Sequence, residues 1–188
     1  MPESETSFLM TVEDVFGHHP HGTYVAGEVL QGVVRVGDEL EVVGLLPTRR
    51  ITAATFGVFR KQLAEARAGQ SIAVLIPGIN RTQVAVGQVL ATPGTVRPHS
   101  RLRATLHADT ALGTSLQLRF AKGSEAVEAT VHLPVGTDVS ALGRPVEITL
   151  DRPAVFEQGT EFGVVVQTRD VITSTRRLGT GLVTEVLD

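Results

Sequence analysis

Three histidines fall in four positions at His18-His19-Pro20-His21, and a glutamate and an aspartate stand just before them at Glu13 and Asp14. Imidazoles and carboxylates are zinc ligands and carriers of protons, so metal or acid–base chemistry would start in this segment. A zinc site needs three or four ligands converging at about 2.0–2.3 Å, and neighbouring residues of a strand or turn point in different directions. His18, His19 and His21 would supply two ligands at most without strain, and His99, His107 and His132 show no matching spacing. The cluster therefore reads as the tip of a hairpin, and no metal is expected. Glu13 and Asp14 meet a similar difficulty as a catalytic pair, because adjacent strand residues face opposite sides and a shared reaction centre needs a bulge. Cysteine is absent and no GxSxG elbow occurs, which removes the thiolate nucleophile and one common setting of a serine triad. The expectation is a protein that is not an enzyme and carries no cofactor.

The elements that would position these groups are short strands. Gly32, Gly37, Gly44, Gly57, Gly69, Gly78, Gly87 and Gly94 separate segments rich in valine, isoleucine and leucine, among them Thr23–Leu30, Val33–Val36, Glu39–Val43 and Ser71–Ile76. This is the spacing of an all-β chain. DELEVV (Asp38–Val43) alternates polar with apolar residues as a half-buried antiparallel strand does. Only QLAEAR (Gln62–Arg67) reads as a turn or two of helix. In ATPGTVRPHSRL, Pro93-Gly94 and Pro98 make a stiff joint that no central strand can cross. The domain boundary is placed there, giving residues 1–94 and 95–188. Beyond it, Arg101–His107, Leu116–Phe120, Ala126–His132, Val146–Leu150, Glu161–Gln167 and Gly181–Val186 are further strands. Two antiparallel Greek-key-type β-barrels in tandem are the economical architecture, since closure removes exposed sheet edges.

A chain of 188 residues with 42% hydrophobic content buries a sizeable core, and a net charge of −3 does not suit a generally basic nucleic-acid binder. The start MPESETS lacks the basic and apolar regions of a secretion signal, and no run approaches the roughly 20 apolar residues of a membrane-spanning helix. A cytoplasmic protein with no membrane partner is expected.

FLMTVEDVF (Phe8–Phe16), HGTYVAGEVLQGVVRVGDELEVVG (His21–Gly44), VFRKQLAEARAGQSIAVLIPGI (Val58–Ile79) and GQVLATPGTVRPHSRL (Gly87–Leu102) resemble, in order and spacing, the second domain of bacterial elongation factor Tu and its junction to the third. VHLPVGTDV (Val131–Val139), PVEITLDRPAVFEQGTEF (Pro145–Phe162) and LGTGLVTEVL (Leu178–Leu187) resemble the third domain. The GTPase domain that precedes these barrels in the family has no counterpart here. Neither a GxxxxGK[ST] loop nor an Asn-Lys-x-Asp stretch occurs, so nucleotide binding by this chain alone is not expected.

The resemblance implies a non-catalytic, translation-related binding module, with tRNA, the ribosome or a translation protein as partner. The alternative is a protein-interaction or structural module that has lost tRNA binding. By that resemblance Glu13, Asp14 and Phe16 border the pocket for the amino acid on the tRNA 3′ end, and Leu75 forms an apolar wall. Other family positions depart: Gly57 stands for a glutamate that holds the ribose, Ser71 for an asparagine, Ala26 for a threonine, His21 for an arginine, and Val86 for an arginine near the tRNA 5′ end. Removing several buried polar contacts weakens recognition steeply, so ordinary carriage of aminoacyl-tRNA is not expected. Read from the residues alone, Phe16, Phe59 and Leu75 are core positions first and pocket walls second. Arg97 and Arg101 at the joint and Arg176 and Arg177 in the last hairpin are candidates for RNA phosphate. Their rival role is surface charge with local Asp or Glu partners.

Overall fold

The computed structural model describes residues 7–18, 22–58, 61–108, 115–119, 127–132, 145–168 and 174–188. Among the described residues the elements are β-strands apart from one short 3-10 turn at Arg81–Gln83. The chain divides into two units, Met1–Arg97 and Pro98–Asp188.

In the first unit the strands are β1 (Leu9–Thr11), β2 (Asp14–His18), β3 (Gly22–Gln31), β4 (Val33–Arg35), β5 (Glu39–Val43), β6 (Arg49–Thr52), β7 (Thr55–Val58), β8 (Lys61–Leu63), β9 (Glu65–Arg67), β10 (Ser71–Ile76) and β11 (Val89–Ala91). Nine of them form one antiparallel sheet in the order β6-β5-β11-β1-β3-β10-β7-β8, with β2 also on β3. Alternation of side chains decides which face is buried. Val25 and Val29 of β3 point inward with Ile72, Val74 and Ile76 of β10, while Tyr24, Ala26 and Glu28 alternate to the other side. The sheet path stays open, ending at β6 and β8, and β4 pairs only with β9 in a separate ribbon. That ribbon inserts Val34 and Ala66 into the same hydrophobic cluster as Met10, Phe56 and Leu90.

The helical reading of QLAEAR is overturned, since these residues lie in β8 and β9. Ala66 is buried in the core, the Ala64 carbonyl accepts from the Val36 amide, and tertiary packing overrides the local preference of Ala, Glu and Arg for helix. Side chains also cap free strand edges: Asp38 Oδ2 accepts from the Arg35 amide at 2.7 Å, and Gln70 Oε1 from the Arg67 amide at 2.7 Å.

Within the Pro93–Pro98 joint, Pro93-Gly94 belongs with the first unit. Glu41 Oε2 accepts from the Gly94 amide at 2.9 Å, and Thr92 Oγ1 accepts from the Phe8 amide at 2.9 Å. The Pro93-Gly94 turn is thus tied into the first unit, and the division falls after Arg97.

The second unit comprises β12 (His99–Ala108), β13 (Ser115–Arg119), β14 (Val127–His132), β15 (Val146–Ala154), β16 (Glu161–Thr168) and β17 (Ser174–Val186). They close into a barrel in the order β12-β15-β14-β13-β16-β17. Leu102, Leu106, Leu118, Ile148 and Val164 fill it. Gly181 is required there, because a Cβ at that position would lie 2.2 Å from the ring of Phe162. The ends of β12 and β17 are fastened by Asp188, whose carboxylate accepts from the Ser100 amide and hydroxyl and from the Arg101 amide. Burial by itself would raise the pKa of the Asp188 carboxyl, but the hydrogen bonds from Ser100 and Arg101 together, with His99 nearby, hold it below its usual range.

Candidate binding face

The outer face of the sheet in the first unit is built in rows, because residues opposite one another on antiparallel strands share a face. One row runs Phe16–Tyr24–Leu75–Thr55, and the next runs Asp14–Ala26–Ala73–Gly57–Gln62. A third carries Glu28 opposite Ser71. Phe16 is 41% exposed and stacks on Tyr24, with ring centroids 5.4 Å apart and planes 10° from parallel. Beside this aromatic pair Ala26, Ala73 and Gly57 leave a shallow strip with no side chain larger than a methyl group.

Phe16 and Leu75 are therefore not core residues. Phe16 is exposed, Leu75 is half-buried in the same row, and the core at those strands is supplied by their neighbours Val15, Val74 and Ile76. Phe59, His19 and His21 lie outside the described residues. Among the described residues no group of three or more His, Asp and Glu side chains is placed to hold a metal ion.

Glu13 and Asp14 are both exposed, while Val12 and Val15 on either side are buried. The cause is a bulge. Met10 pairs with Val29 and Asp14 with Ala26, so three residues on the β1–β2 side oppose two on β3. The crossing brings the Thr11 carbonyl oxygen against Gly27, where a Cβ would lie only 1.8 Å from it. Glu13 Oε1 accepts from Thr11 Oγ1 at 3.2 Å, and Asp14 Oδ1 accepts from the Val15 amide at 2.8 Å. Among the described residues none of Glu13, Asp14 and Glu28 forms an ion pair.

Of the positions that depart from the family pattern, Gly57, Ala26 and Ser71 all line this face. Val86 instead packs, partly buried, against the core. Tyr24 and Glu28 were not singled out from the sequence. The signal was available in the alternation of TYVAGEV, which sets Tyr24, Ala26 and Glu28 on one side of β3.

The arginine candidates fall in both units. Arg97 is exposed at the end of the first unit. Arg101 donates to Glu147 at 2.5 Å, and that hydrogen bond lowers the Glu147 pKa and raises that of Arg101. Arg103 donates likewise to Glu185. The backbones of Arg176 and Arg177 stand opposite Val166 and Val165 on β16. A separate depression of about 1250 Å³ in the first unit is lined by Phe8, Leu30, Arg35, Asp38, Arg67 and Thr92, among others. It is remote from the aromatic row in register, and Glu65 bridges both of its arginines, at 3.5 Å from Arg35 and 2.6 Å from Arg67.

The first unit is a translation-factor-like module on a half-barrel sheet. Residues 22–91 match the family model of elongation factor Tu domain 2, so the unit carries an elongation factor Tu domain 2-like domain. The matched stretch includes β3, β7, β8 and β10 of the face.

Proposed function

We propose that this chain is a non-catalytic, cytoplasmic binding module of the translation machinery, and that it engages its partner, a tRNA, the ribosome or a translation protein, through the outer face of its first unit. The observation that carries this reading is the exposed Phe16 stacked on the half-buried Tyr24, in register with Leu75, on a domain that matches elongation factor Tu domain 2. An aromatic ring exposed on a sheet offers contact area at low entropic cost.

Carriage of aminoacylated tRNA is not part of the proposal. Gly57, Ala26 and Ser71 give the face little that would hydrogen-bond a ribose, and each lost contact of that kind is worth about 1–3 kcal/mol. The isolated chain is expected not to distinguish charged from uncharged tRNA, and any affinity for RNA is expected to be weak and salt-sensitive. Competition binding of the two tRNA forms at about 0.15 M salt tests it. Preference for the charged form, abolished by Phe16→Ala, would restore the carrier role.

A further inference from the structure

We infer that the partner segment seated on this face is a cationic stretch of protein, carrying arginine or lysine side chains together with apolar ones on one side of its backbone, and not the phosphate backbone of RNA. The inference rests on the proposed role of the face and names the chemistry of its occupant. Three carboxylates, Glu13, Asp14 and Glu28, flank the aromatic row and the alanine–glycine strip, all exposed. Among the described residues no arginine, lysine or histidine neutralises them. Phosphate approaching these three carboxylates would be repelled, whereas a guanidinium laid over Phe16 gains the face of the ring and a carboxylate together.

The apolar half of the complement follows from the rows. Ala26, Ala73 and Gly57 leave room between Asp14 and Gln62, with Leu75 in the adjacent row, so an aliphatic side chain of the partner fits where the sheet has none of its own. The acidic positions sit at the β2–β3 end of the rows and the apolar ones further along them, so an extended partner must carry its cationic and apolar side chains on the same side of its backbone, two residues apart.

The test uses the whole chain with three probes at about 0.15 M salt: a short fluorescein-labelled peptide repeating arginine-threonine-leucine-threonine, its counterpart with glutamate in place of arginine, and uncharged tRNA. Tyr24 is the only tyrosine and tryptophan is absent, so intrinsic fluorescence reports occupancy of this face. The expected result is saturable binding of the arginine peptide with a change in Tyr24 emission, weakened about ten-fold or more by Phe16→Ala and by the Glu13→Gln, Asp14→Asn double variant. Arg176→Ala with Arg177→Ala should leave it unchanged. No binding of the arginine peptide, or binding that survives the Glu13→Gln, Asp14→Asn variant, overturns the inference. If tRNA or the glutamate peptide perturbs Tyr24 in a Phe16-dependent way, the inference fails while the binding role of the face stands. If no probe perturbs Tyr24, both fail.

Discussion

On β12 of the second unit Arg101 and Arg103 each have a carboxylate within reach, Glu147 and Glu185, whereas on the face of the first unit Glu13, Asp14 and Glu28 have no basic partner among the described residues. The two units use the same material, short antiparallel strands with an apolar side and a polar side, yet they finish their surfaces differently. One closes its hydrogen-bonded ring and neutralises these charges across neighbouring strands. The other leaves its sheet path open and keeps a charged, aromatic surface unspent. Exposed ion pairs contribute little stability. What pairing does supply is a surface with little field to attract a partner, and its absence marks where a field remains.

The largest expected effect probes whether the units are separately built. A methyl at Gly27 would meet the Thr11 carbonyl, which belongs to the backbone and cannot turn away; at Gly181 it would meet the Phe162 ring, a side chain but one only 3% exposed. Gly27→Ala is expected to cost the first unit about 3 kcal/mol or more, and Gly181→Ala to cost the second about 2 kcal/mol. In urea, Tyr24 fluorescence follows the first unit and far-ultraviolet circular dichroism follows both. Gly181→Ala should leave the Tyr24 transition in place; if it moves that transition as far as Gly27→Ala does, the two units unfold as one.

A smaller effect sharpens the contrast in charge. The folded pKa of Glu147 is lowered by its hydrogen bond from Arg101, so its contribution to stability is full above the ordinary carboxylate range and is lost as pH falls through the lowered value. Asp188 acts in the same sense. Arg101→Ala should lower the melting temperature of the second unit at neutral pH and flatten its loss of stability in acid. The Glu13→Gln, Asp14→Asn variant should leave the first unit's melting temperature unchanged or slightly raised, and a clear drop would mean those carboxylates are structural.

The smallest effect concerns the joint. Limited subtilisin digestion, read by mass spectrometry, should cut between residues 95 and 98 in the native chain. Glu41→Ala should extend cleavage to Pro93-Gly94 by releasing the Gly94 amide. Unchanged cleavage sites would show that the turn holds without Glu41.

Glycine punctuation and alternation made the strands legible, and Glu39–Val43 and Ser71–Ile76 have the bounds read from the sequence. QLAEAR misled because alanine, glutamate and arginine favour helix, while the need of the core for Ala66 is not local. The face was half legible. The resemblance pointed to Phe16 and Leu75, but apolar strand residues taken alone look like core. Only the register between β2, β3 and β10 reveals which side they occupy. Nor does the segment itself announce the bulge at Glu13 and Asp14, since it depends on a glycine in another strand.

That glycine gives the molecule an unusual genetic property. Gly27 is buried in the sheet and its own side is occupied by the Thr11 carbonyl, so it would touch no partner on the face. Yet the extra residue that turns both Glu13 and Asp14 outward passes over it. A substitution there would disarm the acidic edge while leaving every acidic residue in place, and a screen scoring charge alone would record an unaltered face on a protein that no longer presents one.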